Sequence, residues 1–382
     1  MGKVLAVLVL AADLVACSGV PDRTTDAEPT PGGTATVSPP PAGPERITVV
    51  ATGDVLLHER LWVTARRDGE GRLDFGPVLA GVRPLVSAAD LAICHLETPL
   101  APAGGPYRGY PLFSVPPQIA PALKQTGYDV CTTASNHSFD GGAAGVDRTL
   151  ATLDAAGLRH AGTARNPAEA VTPVILDAHG VKVALLSYTF GFNGLGYPHG
   201  QTWRSNRIDE TAIRSAAAGA RAAGAEIVIL ACHWGSEYVS EPDAQQLTLA
   251  RRFVADSNID LVIGNHAHVV QPMEKIGGKW IAYGTGNLLA AHREPGSPKS
   301  EGLLVRFTFT RGADGRWTTT KAEYAALLLT DPLPMRLLDV RHELARPGTG
   351  PASKDRLRAA LRRTEEVVNS RGAARAGATP IG

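Results

Sequence analysis

Two histidines separated by one small residue, His266-Ala267-His268, close an apolar run rich in branched side chains, Leu261-Val262-Ile263-Gly264-Asn265. In extended backbone, positions i and i+2 point to one side. The spacing therefore predicts two imidazoles aimed at one point just past a strand end. Neutral imidazole is a common ligand for transition metals, so metal binding is the chemistry implied. Two loop histidines in solvent satisfy the same spacing, and the pattern alone does not choose between them.

The arrangement recurs along the chain. The β-branched run Arg46 to Thr52 ends in Gly53-Asp54, and Asp90 to His95 ends in Leu96-Glu97-Thr98-Pro99. Tyr128 to Thr133 leads into Ser135-Asn136-His137 and on to Asp140, and Glu226 to Cys232 leads into His233-Trp234-Gly235-Ser236-Glu237. Between these runs lie helix-like stretches, such as Gly145 to Ala156 with Val146, Leu150 and Leu153 on one side. Strands alternating with helices imply an α/β architecture, in which sites gather at the carboxyl ends of strands. The candidate metal ligands are thus Asp54, Glu97, Asn136, His233, His266 and His268. Carboxylate, imidazole and amide together suit Mn, Fe or Zn better than Ca. His233 directly follows an apolar strand and precedes Trp234-Gly235, where the chain must turn, so it is expected to bind the ion itself. His95, inside a strand, is expected to lie outside the site. Asp140 and Glu237 either orient His137 and His233 or are capping and loop carboxylates. Tyr107, Arg108 and Tyr110 lie in a long loop, where they either meet an anionic substrate or are solvated loop residues.

Together, Gly53-Asp54, Leu96-Glu97-Thr98, Ser135-Asn136-His137, His233-Trp234-Gly235-x-Glu237, His266-x-His268-x-x-Gln271-Pro272 and Tyr283-Gly284-x-Gly286-Asn287 resemble the CapA capsule-synthesis family. That family is associated with poly-γ-glutamate capsules and is related to the calcineurin-like metallophosphoesterases. The resemblance covers roughly residues 47–329. It implies a four-layer α-β-β-α sandwich of the metallophosphoesterase type, with a cleft for one or two divalent transition-metal ions at one edge of the two sheets. Carried over by resemblance, Asp54 and His268 serve a first ion, and Asn136, His233 and His266 a second. Glu97 stands where a bridging Asp is usual. His137 corresponds to the histidine that supports the leaving group, as acid or charge stabiliser. With Asp140 and Glu237 beside it, it completes the catalytic candidates. Two positions depart from the pattern. Leu56 replaces a histidine two residues after Asp54, and Glu97 is one methylene longer than Asp. His58 either turns back as a substitute ligand or is a surface histidine. The function implied is a metal-dependent hydrolase acting on a phosphoester or anionic polymer during capsule-type polymer synthesis or export. The alternative is a polymer-binding or scaffold subunit of a membrane synthase, without turnover.

The 382 residues are 44% apolar and 20% charged, with formal charge +1, so the whole chain offers no electrostatic case for nucleic acid. Lys3, the apolar run Val4 to Val15 and Leu14-Val15-Ala16-Cys17 read as a lipoprotein signal over residues 1–17, with Cys17 lipidated, although Asp13 interrupts the run. The run is short for a membrane span. Residues 18–45, rich in Pro and Thr, read as a disordered tether. The expected result is a domain over residues 46–330 held by its lipid on the outer face of a bacterial cytoplasmic membrane. Residues 331–382 follow as an extension, helical over Lys354 to Ser370 and loose in its tail. Cys94, Cys131 and Cys232 are an odd number for a disulfide framework and are read as small buried apolar residues.

Overall fold

The computed structural model describes residues 45–381 apart from Arg293 and Pro295. The expected signal segment, Cys17 and all of the tether but Glu45 lie outside the described residues. The elements run β1 (Arg46–Leu56), α1 (Glu59–Asp68), α2 (Gly76–Leu79), α3 (Arg83–Val86), β2 (Leu91–Leu96), α4 (Ile119–Thr126), β3 (Val130–Thr132), α5 (Gly142–Ala155), β4 (Arg159–Ala161) and α6 (Pro167–Val171). There follow β5 (Ile175–Ala178), β6 (Val181–Thr189), α7 (Glu210–Ala222), β7 (Ile227–His233), α8 (Ala244–Ala255), β8 (Leu261–Asn265), β9 (Met273–Ile276), β10 (Lys279–Ala282) and β11 (Asn287–Ala290). The last are β12 (Glu301–Arg311), β13 (Trp317–Leu329), β14 (Leu337–Asp339), α9 (Val340–Ala345), α10 (Lys354–Asn369) and β15 (Ala378–Pro380).

The strands form two sheets. One has nine strands in the order β14-β13-β12-β1-β2-β3-β4, with β11 on β1 and β15 on β13; the other runs β5-β6-β7-β8-β10-β9. Within the first, β1 to β4 are parallel, and within the second, β6, β7, β8 and β10 are. Parallel strands need both faces covered, and three apolar layers do this. Val49, Ile93, Leu185, Ile229 and Phe307 fill the space between the sheets. Leu61, Val78, Leu123 and Leu150 pack helices on the outer face of the first sheet, and Ile213, Ala217 and Phe253 do so on the second. These layers make the expected four-layer α-β-β-α sandwich.

Close backbone approach sets the strand ends. A Cβ on Gly53 would stand 2.1 Å from the carbonyl oxygen of Gly286, and one on Gly264 would stand 1.8 Å from that of Tyr283. Only glycine lets β1 and β8 run this close to the chain around β10 and β11. Asp54 faces His95 on β2 and Asn287 on β11, past a register shift after Ala51.

The structure corrects two readings. Cys94 and Cys131 are directly paired across β2 and β3 and are joined by a disulfide, leaving Cys232 as a buried free thiol among the described residues. The tail is not loose. Ala378 to Pro380 add a strand beside β13, and Ala373 and Ala378 pack into the layer between the sheets. Arg363 of α10 also donates to buried Glu301 at 2.8 Å, which pins the helix to the start of β12.

Candidate metal centre

The ends of β1, β2, β7 and β8 and the loop after β3 converge at one edge of the sandwich. Donor atoms of Asp54, Glu97 and His268 lie within 4.8 Å of one another, and so do those of Glu97, His233 and His266. Glu97 is common to both groups. Its Oε1 lies 3.6 Å from His268 Nε2 and 3.9 Å from His233 Nε2. Asn136 Oδ1 is 2.9 Å from the same His233 nitrogen. The sequence reading thus put the six candidate ligands in one place, and the structure brings them together there. All six are buried.

The histidine pair converges by a different route from the expected one. β8 stops at Asn265, and His266 and His268 have φ of 93° and 55°. A left-handed turn, not strand alternation, brings the rings to 6.0 Å between centroids. Non-glycine residues in that region are strained and recur at functional sites. Hydrogen bonds hold the turn: the His266 N–H donates to Asp54 Oδ2 at 3.2 Å, and Asn287 Nδ2 donates to the His268 carbonyl at 3.1 Å.

Burial and neighbouring charge set the protonation. Burial pushes Glu97 up to about 7. Burial opposes a charged His268, but the carboxylates of Glu97 and Asp54 outweigh it and raise the ring to about 10. Burial tends to raise Asp54, yet the hydrogen bond and charge of His268 bring it below the usual carboxylate range. His266 falls to about 3 and His233 well below its usual value, through burial and then the surrounding imidazoles. Most of the cluster is therefore neutral imidazole around two carboxylates, a donor set that fits a divalent transition metal. Three buried atoms, both oxygens of Glu97 and Nδ1 of His266, make no hydrogen bond among the described residues. Buried polar atoms without partners are costly, and a cation among them would satisfy all three.

His137 and Asp140 are paired as one of the two readings had it. His137 Nδ1 is 2.6 Å from Asp140 Oδ2, which also accepts the Phe113 N–H at 2.8 Å. Burial disfavours the charged ring, but Asp140 and Glu97 prevail and the pKa is raised. Of three other positions, Glu237 and His58 each had two readings and His95 is corrected. Glu237 is exposed and groups with His266 and His268, not with His233. His58 does not turn back to Asp54; it stands at the N-cap position of α1 without a side-chain cap bond, and its ring packs 5.1 Å from the His292 ring and 5.6 Å from Phe113. His95, expected to lie outside, is inside: its Nε2 is 2.9 Å from His233 Nδ1, and Asp54, His95 and His233 form a further close group. Sequence reasoning also missed Asn193, whose side chain meets Asn136 at 3.1 Å, and Phe190, whose ring covers His266 at 4.6 Å. Their glycine-rich loop carries no spacing that would mark them.

A model of the family described as bacterial capsule synthesis protein PGA_cap matches residues 48–292. The chain belongs to that family. The match spans every strand-end residue of the centre. Relatives include "Capsule biosynthesis protein CapA" of Bacillus anthracis, 27% identical over 254 residues that cover 64% of this chain and 60% of that protein. "PGA biosynthesis protein CapA" of Bacillus subtilis (strain 168) is 27% identical, covering 52% of this chain and 51% of that protein. A "Probable polyglutamine synthesis accessory protein" of Mycobacterium tuberculosis is 27% identical and covers 79% of this chain and 80% of its own length. The chain thus spans 60% and 51% of the two Bacillus relatives. Among solved structures, the calcineurin-like phosphoesterase YfkN of Bacillus subtilis aligns with a TM-score of 0.46 and 15% identity, over 84% of this chain and 97% of that one.

Proposed function

We propose that the strand-end cluster is a divalent metal centre and that the protein is a hydrolase, cleaving a phosphoester or trimming an anionic polymer in capsule-type polymer synthesis. The observation that carries this is Glu97: a buried carboxylate, both oxygens without a hydrogen-bond partner among the described residues, shared by two groups of ligands. Buried carboxylate oxygens without hydrogen-bond partners are costly, and a cation offsets that cost. Asp54 and His268 would hold one ion and Asn136, His233 and His266 a second, with Glu97 between them; Mn, Fe or Zn suits this set. Such ions supply an activated water and a clamp for phosphoryl oxygens.

The chain's own groups would do the rest. Asp140 holds Nδ1 of His137, so its Nε2 is the atom left to face a leaving group, with Asn193 Nδ2 3.5 Å away. With its pKa raised, the ring holds a proton there, as an acid or as a charge against a developing anion. The Phe113 ring packs against His137 edge to face, with centroids 4.9 Å apart.

One observation favours a second reading, a polymer-binding subunit of a membrane synthase. Leu56, where related sites carry a ligand, is buried in the helix-covered core. The test is turnover of bis(p-nitrophenyl) phosphate and of poly-γ-glutamate by metal-reconstituted protein. Hydrolysis of either, lost on chelation, supports the first reading. Retained metal and polymer binding without turnover of either supports the second.

The proposal places the protein outside the cytoplasm, with Cys17 lipidated at the membrane face. The Cys94–Cys131 disulfide supports this, since such bonds persist in oxidising compartments. Mass spectrometry of the mature protein tests it; a chain that keeps Met1, or lacks lipid on Cys17, contradicts it.

A further inference from the structure

His95 has no role in the arrangement described above, yet it is buried at the heart of the cluster. Its surroundings can be resolved by counting protons. Thr132 Oγ1 donates to the carbonyl of Cys94 at 3.3 Å. With its proton placed there, the same oxygen is free to accept from His95 Nδ1, 2.7 Å away, the arrangement that ligation by His233 Nε2 requires. His95 Nδ1 therefore bears the hydrogen. A ring whose one hydrogen sits on Nδ1 accepts at Nε2. His233 Nδ1, 2.9 Å from that nitrogen, must be the donor. With its hydrogen on Nδ1, His233 presents a bare lone pair at Nε2, the form a metal ligand needs.

That lone pair faces two more acceptors, Asn136 Oδ1 at 2.9 Å and Glu97 Oε1 at 3.9 Å. Asn136 does not offer its amide hydrogens there, because Nδ2 donates to Asn193 Oδ1 at 3.1 Å. In this arrangement three acceptor atoms, His233 Nε2, Asn136 Oδ1 and Glu97 Oε1, converge on one place, as a cation requires.

We propose that His95 is a positioning residue: held by Thr132, it fixes the tautomer of His233 so that His233 Nε2 is presented unprotonated to a metal ion. The proposal rests on the metal-centre reading above. His95 is not itself assigned as a ligand. In the Asp54, His95 and His233 group the polar atoms already satisfy one another: Asp54 takes the His266 N–H and sits 3.1 Å from His268 Nδ1, and the two rings bond to each other. In the Glu97, His233 and His266 group they do not. The ion that His233 would hold therefore belongs with the unsatisfied set. Partners of this kind, which hold a metal-binding histidine by its other nitrogen, fix its orientation and basicity.

The experiment is Zn²⁺ affinity by chelator competition for the full-length protein and for His95→Ala, His95→Gln and Thr132→Val, with circular dichroism on each. Imidazole ¹⁵N spectra of the zinc-loaded forms are recorded alongside. His95→Ala is expected to weaken Zn²⁺ binding about 10–100-fold and to lose the slowly exchanging Nδ1–H signal of His233. His95→Gln, whose amide oxygen can accept from His233, is expected to recover most of both. Thr132→Val nearly preserves shape and, should His95→Ala fail to fold, tests the same link; it is expected to weaken binding less. Unchanged affinity in His95→Ala, or in Thr132→Val where that variant stands in, overturns the proposal, as does loss that His95→Gln does not restore. No Zn²⁺ binding by the wild type overturns the metal-centre reading instead, a result distinguishable from either.

Discussion

Asp54 Oδ2 accepts the backbone N–H of His266 at 3.2 Å, across 212 residues of sequence. The bond ties the end of one sheet to the turn that ends a strand of the other. Asp54 therefore has two separable duties, the charge it offers an ion and the acceptor it offers this turn.

Asp54→Asn keeps an acceptor and removes the charge, whereas Asp54→Leu removes both. The Asn variant is expected to fold with Zn²⁺ affinity reduced at least tenfold. The Leu variant should lose about a further 1–3 kcal/mol of stability, the usual cost of a buried donor left without a partner. Chemical unfolding of both metal-stripped variants measures this; equal stability would show that the bond does not hold the turn.

Metal uptake should release protons. In protein stripped of metal at pH 7, His268, raised to about 10, is protonated, and Glu97, at about 7, is protonated in part. An ion requires both as bare donors, so binding expels those protons and tightens as pH rises, by up to roughly tenfold per pH unit for each proton released. Calorimetry in buffers of different ionisation enthalpy counts them. Binding with no proton release, and with the same affinity at pH 6 and pH 8, would contradict the assignment of His268 and Glu97.

The disulfide closes a loop with a sequence separation of 37. On the chain-entropy argument that is worth about 4 kcal/mol. The double substitution Cys94→Ala with Cys131→Ala should lower unfolding free energy by roughly 2–4 kcal/mol under oxidising conditions. Indistinguishable denaturation curves would mean that the two cysteines are not joined.

Much of the centre was legible because strand-end position, apolar run and residue type coincide at Asp54, Glu97, His233 and the His266–His268 pair. The pair also shows the limit of periodicity. The two rings do come together, but through positive φ at both histidines, a turn conformation that residue type hides. His95 was missed although the same rule would have found it. His95 and Glu97 stand at i and i+2, so a strand that aims Glu97 at the cleft aims His95 there too. The Cys94–Cys131 pairing could not be read from spacing; it depends on the register of β2 against β3. The closing strand Ala378 to Pro380 was equally hidden, because three residues give no periodic signal and its partner β13 lies far back in the sequence.

The central claim is that these strand ends hold metal, and metal content read directly tests it. Purified wild type, loaded with Mn²⁺ or Zn²⁺ and desalted, should carry one or two ions per chain by elemental analysis, two being the number that supports hydrolysis. His233→Ala should lose most of that metal, since removing a ligand should cost at least the 10–100-fold typical of its supporting partners. Its circular dichroism should not change, because the packed layers lie behind the cleft. A wild type without bound metal, or a His233→Ala variant that keeps both full occupancy and the native spectrum, would contradict the claim.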